Sequence, residues 1–113
     1  MRRPEAITWR VLVPYDVREG IDLSGAAKRA GKSCETVRMW CIQRGLGRRV
    51  RGGKWVVSKV ALAMHLDGDA STLAAYLAGD RSGPAVKAYF DRCEVPLPKP
   101  QAFREAAEIH LAN

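Results

Sequence analysis

The side chains of this chain that are best suited to chemistry are basic, and they are concentrated in one segment. Residues 24–59 contain ten Lys or Arg side chains and one acid, Glu35, a net charge of +9, whereas the whole chain of 113 residues carries +7. Lys and Arg side chains placed on phosphates release condensed counterions, so a cationic surface of this density favours a polyanion. Because the same segment has an ordered hydrophobic pattern, we expect a folded surface that binds duplex DNA.

Residues that catalyse reactions or hold metals do not form a recognisable motif. The cysteines and histidines are Cys34, Cys41, Cys93, His65 and His110. None of them has C-x-x-C or paired-ligand spacing, so we expect reduced thiols, no metal and no cofactor. Asp67 and Asp69 form a D-G-D cluster, but two acids without a third ligand or a phosphate loop are typical of a solvated helix terminus. The pattern favours a protein that is not an enzyme and has no small-molecule ligand.

Two short helices are predicted to position the cations. The first is expected to run from Ser24, its N-cap, to Gly31, and the second covers residues 34–44, with Ser33 as N-cap and Gly45 at its end. The apolar positions of the second helix at i, i+3 and i+4 are Val37, Trp40 and Cys41. A tight turn between two such helices is the helix-turn-helix spacing, in which the first helix braces the second against the major groove.

A β-hairpin should follow the second helix. Basic and apolar residues alternate over residues 48–57 around Gly52 and Gly53, both of which can adopt the positive φ of a tight turn. We also predict a strand over residues 7–13, which are β-branched and aromatic, and a helix capped by Ser58. Trp40 and Trp55 are in phase with buried positions, so we expect them in the core.

The predicted fold class is α+β, mostly α with a small β-hairpin wing. Residues 1–69 would form a winged helix-turn-helix with an N-terminal strand, and residues 70–113 a helical extension that completes the core or supports oligomerisation. Within that extension we expect a helix starting near Pro84, a rigid link over residues 95–100 and a last helix over residues 102–112. No signal-peptide h-region and no apolar run of about 20 residues is visible, so we expect a cytoplasmic protein without a membrane partner.

A family resemblance strengthens the interpretation. The pattern A-A-x-x-A-G-x-S-x-x-T-V-R-x-W, followed by G-L and a basic hairpin ending in W-x-V-S, resembles the winged helix-turn-helix of the excisionase and MerR-like DNA-binding families. Its residues are Ala26, Ala27, Ala30, Gly31, Ser33, Thr36, Val37, Arg38 and Trp40. The match covers about residues 20–68. The resemblance implies that helix 34–44 enters the major groove while the hairpin reaches an adjacent minor groove or the phosphate backbone.

The candidate DNA-binding residues follow from this placement. Arg38 suits guanine, and Thr36 or Gln43 suits adenine or a thymine methyl, although Arg38 on a phosphate is an equal alternative. Cations on the first helix and in the turn suit the backbone, and those of the hairpin suit phosphate or the minor groove. The full set is Lys28, Arg29, Lys32, Ser33, Glu35, Thr36, Arg38, Met39, Gln43, Arg49, Arg51 and Lys54.

The resemblance implies a sequence-specific double-stranded DNA-binding protein of bacterial or phage origin. Its role would be an excisionase-like recombination directionality factor or a transcriptional regulator of a mobile element, acting as a homodimer or a cooperative oligomer on DNA. Full MerR-type regulators continue into a long dimerisation helix, and no heptad pattern of that length is present here. Two alternatives remain open: a small terminase-like subunit for phage DNA packaging, and a protein-interaction adaptor that does not bind DNA.

Overall fold

The computed structural model describes residues 9–50 and 52–98. Within these residues the structure has five α-helices and a three-stranded antiparallel sheet, so the α+β prediction is confirmed. In chain order the elements are β1 Gly20–Asp22, α1 Leu23–Ala30, α2 Cys34–Arg44, β2 Gly47–Arg49, β3 Trp55–Ser58, α3 Lys59–Leu66, α4 Ala70–Leu77 and α5 Pro84–Arg92. No helix among the described residues is long and apolar enough to cross a membrane.

The helix α2 has the ends that its sequence predicts. The Ser33 hydroxyl accepts a hydrogen bond from the Thr36 N–H at 3.1 Å, and Gly45 ends the helix with a φ of 76°. The N-cap of α1, however, is Asp22 and not Ser24, because the Asp22 carboxylate accepts a hydrogen bond from the Gly25 N–H at 2.8 Å. An extended residue before the first turn can place a carboxylate there, and the negative charge also suits the helix N-terminus.

The sheet has the order β1-β3-β2, with β3 in the centre and antiparallel to both neighbours. The predicted hairpin is therefore confirmed as β2 and β3, joined through Gly52 and Gly53. Gly47 permits the close approach of these strands, since a Cβ atom there would lie 2.3 Å from the Val56 carbonyl oxygen. Ser58 caps α3 by accepting from the Ala61 N–H at 3.0 Å, which couples the end of the sheet to the helix that follows.

The predicted strand over residues 7–13 is wrong for its described part, residues 9–13, which form no strand; residues 7 and 8 lie outside the described residues. The strand that pairs with β3 on the side opposite β2 is instead β1. The β-branched and apolar residues of this segment indicated burial correctly, because Val11 and Leu12 are 2% and 0% exposed. Burial alone does not specify a strand, and here another set of partners binds the backbone.

Two arginine side chains take the place of a neighbouring strand for residues 10–13. The Arg81 guanidinium donates to the carbonyls of Arg10 at 2.6 Å and Val13 at 2.9 Å. Arg48 donates to the carbonyls of the two residues between them, at 3.1 and 2.9 Å. The Leu12 N–H donates to the Tyr76 hydroxyl at 2.9 Å, so N–H and carbonyl groups of this segment are both bonded to side chains from distant elements.

One hydrophobic core runs from α1 and α2 through α3 to α4 and α5. Tyr76 of α4 lies near its centre with 0% exposure, and its hydroxyl donates to the buried carboxylate of Glu19. The Ser58 hydroxyl donates to the same Glu19 oxygen at 2.5 Å. The sequence predicts Trp40 and Trp55 in the core, and they are half-buried and pack against it. Helix α5 begins at Pro84 as predicted, while the expected last helix lies outside the described residues.

Candidate nucleic-acid interface

Helix α2 presents a mixed polar and apolar face to solvent, opposite the positions that point into the core. Val37 and Cys41 are fully buried, at 0% and 1% exposure, and Trp40 packs beside them. A helix turns 100° per residue, so the side chains opposite these positions fall on one exposed surface. That surface consists of Glu35, Arg38, Met39, Ile42 and Gln43. It could contact a groove of duplex DNA over roughly two turns of helix.

Ile42 is a member of this face that the sequence prediction did not include. This residue is 44% exposed. The helical spacing could have found it, since it lies three residues after Met39 and seven after Glu35. An exposed branched apolar side chain is suited to contact with a thymine methyl group.

Glu35 and Arg38 form a paired unit at the start of the face. The guanidinium donates to both carboxylate oxygens, with Nη2–Oε2 at 2.7 Å and Nε–Oε1 at 3.2 Å. The hydrogen bond to Arg38 lowers the pKa of the Glu35 carboxyl, and the same bond raises the pKa of Arg38. The Nε and Nη2 donors of Arg38 therefore have a carboxylate as their partner in the free protein, while Nη1 and the second hydrogen of Nη2 remain available to a base edge.

The predicted Ser33 and Thr36 contacts lie at the first turn of the same helix. The Ser33 hydroxyl donates to the Thr36 hydroxyl at 3.0 Å while it caps the helix, so both side chains have structural partners. Lys32 lies in the turn before them with an exposed side chain. A cation beside a helix N-terminus can bind a phosphate together with the free N–H groups.

The hairpin cations differ in what they contact. Arg49 donates to the carbonyls of Gly52 at 2.7 Å and Gly53 at 2.9 Å, so its guanidinium holds the hairpin tip. Arg48 faces the body of the protein, where it binds the segment before β1. Lys54 is exposed, and Arg51 lies outside the described residues. Lys54 is thus the predicted hairpin contact that the described structure leaves open to a ligand.

A groove joins the hairpin to the start of α2. It has a volume of about 390 Å³, and its lining residues are Asp22, Leu23, Ser24, Cys34, Lys54 and Trp55. Because Cys34 is the first residue of α2 and Lys54 follows the hairpin tip, the structure brings the helix N-terminus and the hairpin to the two sides of one surface. The remaining predicted contacts, Lys28 and Arg29, are both exposed on α1 but lie 100° apart around the helix.

The acids and thiols are arranged as structural groups. The Tyr89 hydroxyl donates to Asp67 at 2.8 Å and to Asp69 at 3.2 Å, and Arg92 pairs with Asp67 at 3.0 Å. The hydrogen bond from Arg92 lowers the pKa of Asp67, and that from Tyr89 lowers it further. The described residues contain no group of three metal-binding side chains. All three cysteines are free, and burial raises the pKa of Cys41 to about 11.

His65 of α3 packs against Trp40 of α2. Its ring meets the ring of Trp40 edge-on, with 4.5 Å between centroids, and burial lowers its pKa, with nearby Arg44 lowering it further. The folded state therefore binds a proton less readily than the unfolded chain, and stability is lost as pH falls below the ordinary value of 6.5.

We expect the wild-type protein to lose more stability than His65→Gln between about pH 7.5 and about pH 5, measured by denaturant unfolding at each pH. The carboxyls of Asp67 and Asp69, whose pKa values are lowered, change stability only below this pH window, so they cause no difference between the two proteins within it. Identical pH profiles for the two proteins would show that His65 does not titrate on unfolding.

Comparison of the chain with models of known protein families, with curated proteins and with solved structures finds no match.

Proposed function

We propose that this protein is a sequence-specific double-stranded DNA-binding protein with a winged helix-turn-helix. In this proposal α1 and α2 form the helix-turn-helix, α2 enters the major groove, and the hairpin of β2 and β3 is the wing. The observation that carries the proposal is the groove that brings Cys34, the first residue of α2, together with the exposed Lys54 of the hairpin, while the exposed face of α2 begins at the next residue, Glu35. These residues lie within the segment whose net charge is +9, ten basic side chains against one acidic.

The proposed surface divides contacts by chemistry. Arg38, Met39, Ile42 and Gln43 offer a guanidinium fork, two apolar groups and an amide, which are the groups that distinguish base edges in the major groove. Lys54 and the cations before α2 offer charge without directional specificity, which suits phosphates. Arg49 supports the wing indirectly, because it fixes the tip through two carbonyls.

By the resemblance of its sequence, the protein would serve as an excisionase-like recombination directionality factor or as a regulator of a mobile element. Neither role requires catalysis, and the proposed mechanism is site recognition with or without bending of the duplex. A homodimer or a cooperative row on DNA would enlarge the contact surface by repeating it on adjacent half-sites.

Selection from a library of random duplexes at two salt concentrations, followed by sequencing of the bound fraction, tests the proposal. An enriched motif whose affinity falls as salt rises is the expected result. Binding that depends on salt without enrichment would replace site recognition with an architectural or packaging role. Absence of binding at low salt would overturn the proposal and leave the adaptor alternative.

Lys54→Ala should weaken binding to all duplexes by the same factor and reduce the slope of log affinity against log salt by about 0.9, the contribution of one phosphate contact. Lys87→Ala is the matched control, because Lys87 is exposed on α5, outside the basic segment. Fluorescence anisotropy over a series of salt concentrations measures both variants. An unchanged slope for Lys54→Ala would remove the wing from the DNA interface.

A further inference from the structure

A second basic site lies apart from the α2 surface. Arg29 of α1, Lys59 of α3 and Arg92 of α5 line a cleft of about 290 Å³ between their three helices, with Cys93 beside them. The other lining residues are Leu62, Ala63 and Leu66. None of these residues lines the groove between α2 and the hairpin. Arg29, which the sequence grouped with the DNA contacts, therefore belongs to a different surface.

Helix position explains two of the three cations but not Lys59. Arg29 and Arg92 lie in the last turns of α1 and α5, where a positive charge suits the carbonyl ends. Lys59, however, is the first residue of α3, where a positive charge opposes the helix dipole. Of these three cations, only Arg92 forms an ion pair among the described residues, with Asp67 at 3.0 Å. Arg29 and Lys59 therefore leave positive charge at the rim of the cleft, which an acidic ligand would complement.

The floor of the cleft is apolar and partly open. Leu66 is 46% exposed, although α3 buries most of its other apolar side chains in the core. A sugar–phosphate backbone has no large apolar group that could cover this leucine. A peptide can supply both an apolar side chain for the floor and carboxylates for the rim, and Arg side chains bind carboxylates with two parallel hydrogen bonds.

We infer that the cleft of Arg29, Lys59 and Arg92 docks an acidic peptide segment of a partner protein. One apolar side chain of that segment packs on the exposed Leu66, and flanking carboxylates bind the cations. The inference does not require α2 to bind DNA. If α2 does bind DNA, the cleft gives the protein a separate surface through which it holds a protein partner at the DNA site.

Selection of a random twelve-residue peptide library against the full chain tests the inference. The expected peptides contain Leu, Ile or Phe flanked by Asp or Glu, and their affinity should fall roughly tenfold in Arg29→Glu and in Lys59→Glu. Lys87→Glu reverses an equivalent exposed charge outside the cleft and should leave the affinity unchanged. Lys59→Glu places an acid in the first turn of α3, so loss of binding in this variant would not arise from a weaker helix.

Several results would overturn the inference. Selected peptides that lack acids, or that bind both charge-reversed variants as well as the wild type, would exclude the cleft as their site. Amide NMR signals of Leu62, Leu66 and Cys93 that shift with a random duplex, and not with the selected peptides, would assign the cleft to DNA. Shifts of the same signals with protein concentration alone would assign it to a second copy of this chain.

Discussion

Arg81→Met should lower the free energy of unfolding by about 2–4 kcal/mol, since a hydrogen bond from a charged donor contributes about 1.5–3 kcal/mol and part of that is recovered when a buried charge is removed. The Arg81 side chain is 8% exposed and donates to four backbone carbonyls. Its guanidinium also lies 4.0 Å from the centroid of the Tyr76 ring. Methionine retains the apolar contact with this ring but satisfies none of the carbonyls.

The variant should also release the segment before β1 selectively. The amides of Arg10, which donates to the Leu77 carbonyl at 2.9 Å, and of Leu12 should lose protection from hydrogen exchange before those of α2 do. Arg81→Lys should rescue only part of the stability, because an ammonium group lacks the planar fork that reaches carbonyls on two sides. Lys87→Met is the control for loss of a surface cation. Equal denaturant midpoints for Arg81→Met and this control would contradict the bracing role of Arg81.

A feature of this fold could be predicted from the sequence when the residues that determine it lie close together along the chain. Helices α2 and α3 each begin after a serine whose hydroxyl accepts a hydrogen bond from the N–H three residues later. Helix α2 ends at a glycine with positive φ. The hairpin follows from two adjacent glycines between alternating strands. These signals act within a few residues, so a single sequence contains them completely.

The segment over residues 9–13 could not be predicted in the same way. Its conformation depends on Arg81 and on Arg48, which are 71 residues from Arg10 and 37 from Val11. Local composition signals that this segment is buried, but it does not identify the donors that bind its carbonyls. The same limit applies to Arg29, because only the packing of α1 against α3 places it in the second cleft.

The α2 surface was predictable to the extent that helical spacing defines it. Glu35, Arg38, Met39 and Gln43 emerge together opposite the buried Val37 and Cys41, as the spacing requires. Helical spacing does not fix side-chain conformations. It therefore could not predict that Glu35 pairs with Arg38, or that Arg49 bonds to the carbonyls of the hairpin tip. These two contacts decide which cations are available to a ligand.

Arg38→Ala should produce the largest change in DNA recognition. If the guanidinium binds a guanine edge, the variant should bind the selected site roughly 5- to 150-fold more weakly and accept other bases at one position of the motif. Arg44→Ala is the matched control on the same helix, because Arg44 lines a separate cavity with His65 and Asp69. It removes the same charge, so it should weaken selected and random duplexes by one common factor. Equal losses on both duplexes for Arg38→Ala would reduce Arg38 to a phosphate contact.

Glu35→Gln separates two roles for the carboxylate that pairs with Arg38. If Glu35 only restrains the guanidinium in the free protein, the variant releases the fork, removes a negative charge from the interface and binds the selected site more tightly with unchanged specificity. If Glu35 instead accepts a hydrogen bond from a cytosine amino group, the variant loses discrimination at one further base pair. Selection from the random duplex library with Glu35→Gln distinguishes these outcomes. Tighter binding by this variant would show that the ion pair of the free protein opposes recognition.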